Sequence, residues 1–195
     1  MKIRSFEVGR ATSIHLAYFD ENREFEHHML SAGQSKQLER ITSPARRREF
    51  VFTRALLSNI AQGEDIVYLE NGAPILQSEK YHISISHSSL AVAIMISDFE
   101  CGIDIELLNR NFKRVAKKYI TPSDAPAQSD YELAAVWAAK EAIYKLHQGA
   151  INIFEDAKII RIDKNKINCM VLDREIDANI FEYREHIVSY CKVKK

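Results

Sequence analysis

The chain is poor in the features that staple, anchor or address a protein. It has three cysteines in 195 residues, Cys101, Cys169 and Cys191. Their odd number and wide spacing fit neither a disulfide framework nor a cysteine-based metal site. Each falls in a run that reads as a strand, so buried thiols in a reducing compartment are expected. Long apolar runs are absent too. The longest clean one, Leu90–Ile96, is far too short to cross a bilayer. The first residues, MKIRSFEVGRATSIHLAYFD, carry no continuous apolar stretch of the signal-peptide kind. A cytoplasmic location and no membrane partner are therefore expected. Charge of one sign is also missing. With 27 basic and 27 acidic side chains, nothing in the overall balance argues for a nucleic-acid partner. Low-complexity segments and long Gly/Ser/Pro linkers do not occur. Neither do a Walker A sequence, GxGxxG or GxSxG.

What is present suits an ordinary globular chain. Hydrophobic residues make up 46% and charged ones 28%, so a sizeable core can form without staples. Residues 12–20 read as a strand. Residues 33–62 look largely helical, with Ser43 as N-cap and Pro44 in the first helical position. Asn71-Gly72 signals a turn. "YHISISHS" alternates, with Ile83, Ile85 and His87 on one face and Ser84, Ser86 and Ser88 on the other. "LAVAIMI" is apolar throughout, as expected of a strand covered on both faces. "CGIDIE" makes a third strand. Helices are expected at about 109–120 and 129–147, the latter capped by Ser129 or Asp130 with Gly149 beyond its end. Residues 155–195 read as a meander. The mixed order favours an α+β fold with antiparallel pairing over a regular βαβ repeat.

Five groups of residues could carry chemistry. Asp104 and Glu106 stand two apart on a strand, so both carboxylates project from one face. Like charges that close repel, and burial makes it worse, so something positive should compensate. Mg²⁺ would suit, since it takes oxygen ligands and commonly one or two protein carboxylates. The bland reading is a strand end with its polar face in water. In "WAAKEAIYK", Trp137, Glu141 and Lys145 form an i, i+4, i+8 row, with Lys140 on the side of Val136 and Ile143. These could serve a phosphate-rich ligand, or Glu141 and Lys145 could be a helix-surface pair beside a core tryptophan. "SISHS" places His87 and hydroxyls at a strand end, where they could donate to a phosphate or be purely structural. Arg46, Arg47, Arg48 and Arg54 could bind phosphate through guanidinium forks, or form a solvated face. Arg110, Lys113, Arg114, Lys117 and Lys118 form a basic stripe if 109–120 is a helix. That stripe could steer an acidic partner or be an amphipathic helix surface.

Taken in this order, the motifs resemble a known family. "GIDIE", followed about thirty residues later by "WAAKEAIYK", resembles the paired signature of the 4'-phosphopantetheinyl transferases, G-[IV]-D-[IV]-E and W-x-x-K-E-[AS]-x-x-K. Ala138 stands where many members carry a small hydroxyl residue. "ISISHS" is similar to the family's S-H-S strand, and "NGAPIL" to its G-K-P segment, with Ala73 where lysine is common. "TRALL" resembles its N-terminal arginine-containing helix, and "KKYITPSD" the stretch between the two signatures. The resemblance spans roughly residues 43–150. The length suits the larger single-chain, surfactin-synthetase-activating type, which resembles two tandem copies of holo-acyl-carrier-protein synthase.

That resemblance implies an α+β fold of two tandem pseudo-symmetric subdomains, 1–98 and 99–195, with the active site at their interface. It implies a Mg²⁺-dependent holo-acyl-carrier-protein synthase, with Mn²⁺ as a substitute ion. The enzyme would move the phosphopantetheine arm of coenzyme A to a serine of an apo carrier protein and release adenosine 3',5'-bisphosphate. Asp104, Glu106 and Glu141 would hold the metal. Asp104, Glu141 and Lys145 would form the catalytic group, with Glu141 or a metal-bound water as base. Arg46, Arg54, Ser86, His87, Lys140 and Lys145 would bind coenzyme A. The basic residues from Arg110 to Lys118 would meet the carrier, and a monomer is the expectation. The alternatives are a non-catalytic carrier- or nucleotide-binding module of the same fold, favoured by Ala73 and Ala138, and another Mg²⁺-dependent phosphotransferase.

Overall fold

A computed structural model describes residues 2–19 and 30–193. The elements run β1 (Ile3–Glu7), β2 (Thr12–Tyr18), α1 (Ala32–Glu39), α2 (Pro44–Ile60), β3 (Ile66–Tyr68), β4 (Pro74–Leu76), β5 (His82–His87), β6 (Ala91–Ser97), β7 (Cys101–Leu107), α3 (Asp130–Leu146), β8 (Ala157–Asp163), β9 (Lys166–Val171), β10 (Arg174–Tyr183) and β11 (His186–Lys192). One sheet has the order β1-β2-β6-β5, a second β7-β11-β10-β9-β8, and β3-β4 form a separate hairpin. Every ladder is antiparallel. The expected α+β class with antiparallel sheets is what the chain forms.

The side-chain alternation explains the layering. Phe52, Leu56 and Leu57 of α2 pack on Ala17, Val92 and Ile94, one face of the first sheet. The other face, Ile14, Leu16, Ala93 and Met95, packs on Ile103, Ile105 and Val188 of the second sheet. The far face of that sheet, with Ile159, Ile167, Ile187 and Cys191, meets Ala134, Ala138, Ala142 and Ile143 of α3. The result is helix, sheet, sheet, helix. β6 is apolar throughout because both its faces are covered. All three cysteines are buried and free.

Where the two sheets touch, side chains replace the ladder. Ser84 Oγ accepts from Ile103 N at 3.0 Å, and Ser86 Oγ accepts from Ile105 N at 3.3 Å. The polar face of "SISHS" thus satisfies the otherwise unpaired edge of β7. At the other end, Ser88 Oγ and His186 Nε2 lie 2.7 Å apart, and His186 Nδ1 is 3.1 Å from Tyr18 Oη, joining the β5–β6 turn and the end of β2 to the start of β11.

α3 approaches β7 closely. A Cβ on Gly102 would stand 2.8 Å from Leu146 N and 2.9 Å from the carbonyl carbon of Ala142, and closer still to Ala142 O. Only glycine fits there, and its absent side chain sets the distance between the helix and Asp104.

Several expectations need correcting. Residues 109–120 do not form a helix. They make turns and one 3₁₀ turn at Ala116–Lys118. Five like charges at helical spacing would repel along a helix face. Asn111 Oδ1 instead accepts from Arg114 N at 3.2 Å, which favours a local turn. The helix expected over 33–62 breaks at 40–43, between α1 and α2, with Ser43 and Pro44 opening α2 as expected. The caps of α3 are as read, with Ser129 in a reciprocal capping box with Glu132. The strand expected over 12–20 ends at Tyr18, and residue 20 lies outside the described residues. No described helix is long and apolar enough to cross a membrane.

Candidate active site

The carboxylate pair sits where β7 faces α3. Ile103 and Ile105 point into the layer between the sheets. Asp104 and Glu106 therefore point to the α3 side, as the two-residue strand period requires. Each carboxylate has one oxygen held by two donors. Asp104 Oδ1 accepts from Lys145 Nζ at 2.7 Å and Ser86 Oγ at 2.7 Å. Glu106 Oε1 accepts from Trp137 Nε1 at 2.6 Å and Arg110 Nη1 at 2.6 Å. Asp104 is 4% exposed, and its Oδ2 is buried without a hydrogen-bond partner. Ser189 faces Asp104 across the β7–β11 ladder, fully buried, and its Oγ is likewise unpartnered.

Glu141 lies on α3 one turn before Lys145. Lys145 bonds Asp104, Ser86 and the Ile103 carbonyl at 3.0 Å, so the helix-surface pair of Glu141 with Lys145 is not formed. Burial, and then the Asp104 charge, push the Glu141 carboxyl above its ordinary range, while Lys145 pulls it down. Glu106 is likewise raised by burial and then by Asp104, against the pull of Arg110 and Trp137. The three carboxylates thus feel one another's charge. This is the mutual repulsion expected of acids gathered on one face.

A cavity of about 570 Å³ opens beside this cluster. Arg46 of α2, Tyr68 and Ala73 of the β3–β4 hairpin, Ser84 and His87 of β5, and Tyr144 and Lys145 of α3 line it. Lys145 joins the cavity to the carboxylates, since its ammonium bonds Asp104. His87 Nε2 lies 2.7 Å from Thr53 Oγ1, which is also 2.7 Å from the Glu49 carbonyl. If the single hydroxyl proton of Thr53 goes to that carbonyl, His87 carries its proton on Nε2 and leaves Nδ1 as an acceptor. Burial, then the charges of Lys145, Arg46 and Arg54, lower His87 to about 4.

The structure gathers some of the expected residues and separates others. Asp104 and Lys145 bond one another, Glu106 and Glu141 lie within electrostatic reach of Asp104, and His87 and Arg46 stand on the wall of the adjoining cavity. Lys140 does not join them. It is fully buried, and its Nζ bonds Asp124 Oδ2 at 3.0 Å. Asp124 also accepts from Thr121 N and Ile159 N, so the pair ties α3 to β8. Lys140 is a structural residue because its position on the helix turns it into the core, beside Val136 and Ile143. Ser86 has no capacity left for a ligand. Its hydroxyl donates to Asp104 and accepts from Lys145 and Ile105 N. It positions the acid and the lysine. Arg54 is 4% exposed, packed over Phe50 and beside Tyr68, and does not line the cavity. Of the basic stripe, Arg110 turns back onto Glu106, and Lys113 pairs with Asp130 at 2.8 Å. Arg114, Lys117 and Lys118 are exposed.

Sequence reasoning missed three parts of the site. Trp137, placed in a row with Glu141, was open to a core reading, whereas its indole N–H anchors Glu106. Arg110 was legible only as the first residue of the basic stripe, and Ser189 carried no motif. The spacing Glu106 to Arg110 was the available signal for the first, but a loop has no helical i, i+4 rule to license it.

Residues 100–191 match the family model described as the 4'-phosphopantetheinyl transferase superfamily. This part of the chain is similar to that superfamily. The match begins just before β7 and ends one residue short of the end of β11, so it contains the carboxylate pair, α3 and nearly all of the second sheet. It supports a transferase of the phosphopantetheinyl kind. No curated protein matches the chain.

Whether the residues suit a divalent ion follows from their chemistry. Among the described residues no three acidic, histidine or cysteine side chains are drawn together into a ready ligand cluster. Yet Asp104 keeps a buried oxygen without a partner, and hard carboxylate oxygens are the ligand type Mg²⁺ takes while retaining several waters. The residues fit such an ion.

Proposed function

We propose that this protein transfers the 4'-phosphopantetheine arm of coenzyme A to a serine of an apo carrier protein. The observation that carries the reading is the pair Asp104 and Glu106 on one face, each with one oxygen anchored, beside a cavity that ends at Lys145. The cavity, between the hairpin, β5 and the end of α3, would take the nucleotide side of coenzyme A. Arg46 would face its phosphates and Lys145 its pyrophosphate, while His87, neutral and with Nδ1 as an acceptor, would take a hydrogen bond from a donor group of the ligand. Asp104, Glu106 and Glu141 would hold Mg²⁺ or Mn²⁺. When bound, the ion supplies positive charge against the phosphoryl oxygens and the leaving group.

The chain's own residues do the rest. The carrier serine oxygen forms the new bond to phosphorus, and the bond to adenosine 3',5'-bisphosphate breaks. Glu141 takes the serine proton. Burial and the Asp104 charge raise its affinity for protons, which is the direction a general base needs. Ser86 holds Asp104 and Lys145 in register.

The reading extends to the halves. Residues 1–98 and 99–195 would be the two subdomains of the larger single-chain type, with the cleft between them, in a monomer. Exposed Arg114, Lys117 and Lys118 would meet an acidic carrier. The buried, free thiols support a cytoplasmic setting.

The test is intact-mass spectrometry of an apo carrier protein with this protein, coenzyme A and Mg²⁺, with and without EDTA. A mass gain of one phosphopantetheine arm that EDTA prevents is the expected result. Coenzyme A binding with no transfer to several carriers would replace the reading with a non-catalytic module.

A further inference from the structure

Arg110 occupies an unusual place for a surface residue. It extends from the loop after β7, and its Nη1 is 2.6 Å from Glu106 Oε1. The same oxygen accepts from Trp137 Nε1 at 2.6 Å. The guanidinium carbon lies 5.2 Å from the ring centres of both Phe112 and Trp137. The side chain is 41% exposed, against 16% for Glu106. The guanidinium is thus held by a carboxylate and two rings, yet remains open to water on one side.

The local charges explain why it is held. Lys145 offsets Asp104, and Arg110 offsets Glu106. Glu141 has no ion pair among the described residues, and its carboxyl is raised. A divalent ion bound to these carboxylates would bring two further positive charges into contact range of the guanidinium. Like charges at such distances repel by more than thermal energy wherever water is partly excluded. The ion and Arg110 cannot both enjoy Glu106 fully.

Resting on the metal reading above, we propose that Arg110 is the resident counter-ion of Glu106. It holds the acid in place with Trp137, competes with the divalent cation, and so sets the cation concentration at which the site loads. Arg110 is a positioning residue that acts through Glu106.

The experiment measures Mn²⁺ affinity by calorimetry in the full-length protein and in Arg110→Gln and Arg110→Lys. The emission of Trp137, the chain's single tryptophan, is followed in parallel. Glutamine keeps much of the packing and loses the charge, so its Kd should fall about tenfold. Lysine keeps the charge, so its Kd should stay near the wild-type value. Cation loading should shift Trp137 emission at a lower concentration in Arg110→Gln than in the wild type. If the wild type binds Mn²⁺ and Arg110→Gln binds it no more tightly, the competition is refuted and the metal reading survives. If none of the three proteins binds Mn²⁺, the metal reading fails and takes this proposal with it.

Discussion

Gly102→Ala tests the geometry of the site without touching any of its chemical groups. The added Cβ would meet Leu146 N at 2.8 Å and the Ala142 carbonyl carbon at 2.9 Å, with Ala142 O nearer still. All three are backbone atoms of α3, so no side chain can swing aside. The helix would have to retreat from β7 by on the order of 1 Å to restore ordinary contact. Overpacking of this kind costs about 1–3 kcal/mol, occasionally more. For a chain of this size that is a loss of roughly 2–12 °C in Tm. The same retreat would lengthen the 2.7 Å contact of Lys145 with Asp104 and draw Glu141 away from the pair. Transfer should therefore fall by more than the loss of folded protein explains, about a hundredfold for a misplacement of this size. Gly33→Ala is the control. Gly33 lies in α1, its Cβ would touch nothing closer than Ser31 Oγ at 3.9 Å, and alanine there should stabilise by about 0.5–1 kcal/mol. Thermal melts and carrier-loading rates on both variants decide the matter. A Gly102→Ala protein with wild-type Tm and wild-type rate would refute the close approach of α3 to β7.

Asp104→Asn and Glu141→Gln keep size and shape but remove charge, so each should lower transfer by about a thousandfold with coenzyme A binding retained; wild-type turnover in either would end the assignment of the carboxylates. Lys140→Met should destabilise by about 3 kcal/mol, because it strands buried Asp124, yet leave the KM for coenzyme A unchanged. A large rise in that KM with the fold intact would instead put Lys140 on the ligand. His87 has a folded pKa of about 4, below the unfolded value of 6.5, so the unfolded chain takes up protons first as pH falls. The resulting stability is complete above pH 6.5 and is lost between pH 6.5 and 4, a contribution of about 3 kcal/mol. Denaturant melts across that range should show a shallower decline for His87→Gln, and equal slopes would count against the buried neutral ring.

The sequence disclosed the parts of this molecule that depend on neighbours along the chain. Ser43 with Pro44 and Ser129 with Glu132 opened their helices as local chemistry dictates. The two-residue period put Asp104 and Glu106 on one side, and the apolar run before them became the strand covered on both faces. What stayed hidden depends on which elements meet. The serines of "SISHS" looked free to meet a ligand, but that face lies against β7, and its hydroxyls are consumed there. Lys140 and Lys145 have the same side-chain chemistry. Five residues on a helix turn one into the core and the other toward the cavity. β1, β3 and β4 are short and weakly patterned, so their pairing rests on tertiary contacts.

The hidden contacts share one logic. Three carboxylates near one another are unfavourable unless something holds them, and each holder found in the structure takes only part of an acid's capacity. Lys145 and Ser86 take Oδ1 of Asp104 and leave Oδ2 buried and unpartnered. Trp137 and Arg110 share Oε1 of Glu106. Four donors on two oxygens fix the direction of both carboxylates, and the second oxygen of Asp104 keeps its accepting capacity unused. A site built only for stability would have spread those donors over all four oxygens, since an unpaired buried oxygen costs about 1–3 kcal/mol. The unequal loading of Asp104 is therefore the strongest structural argument that this face is shaped for a ligand.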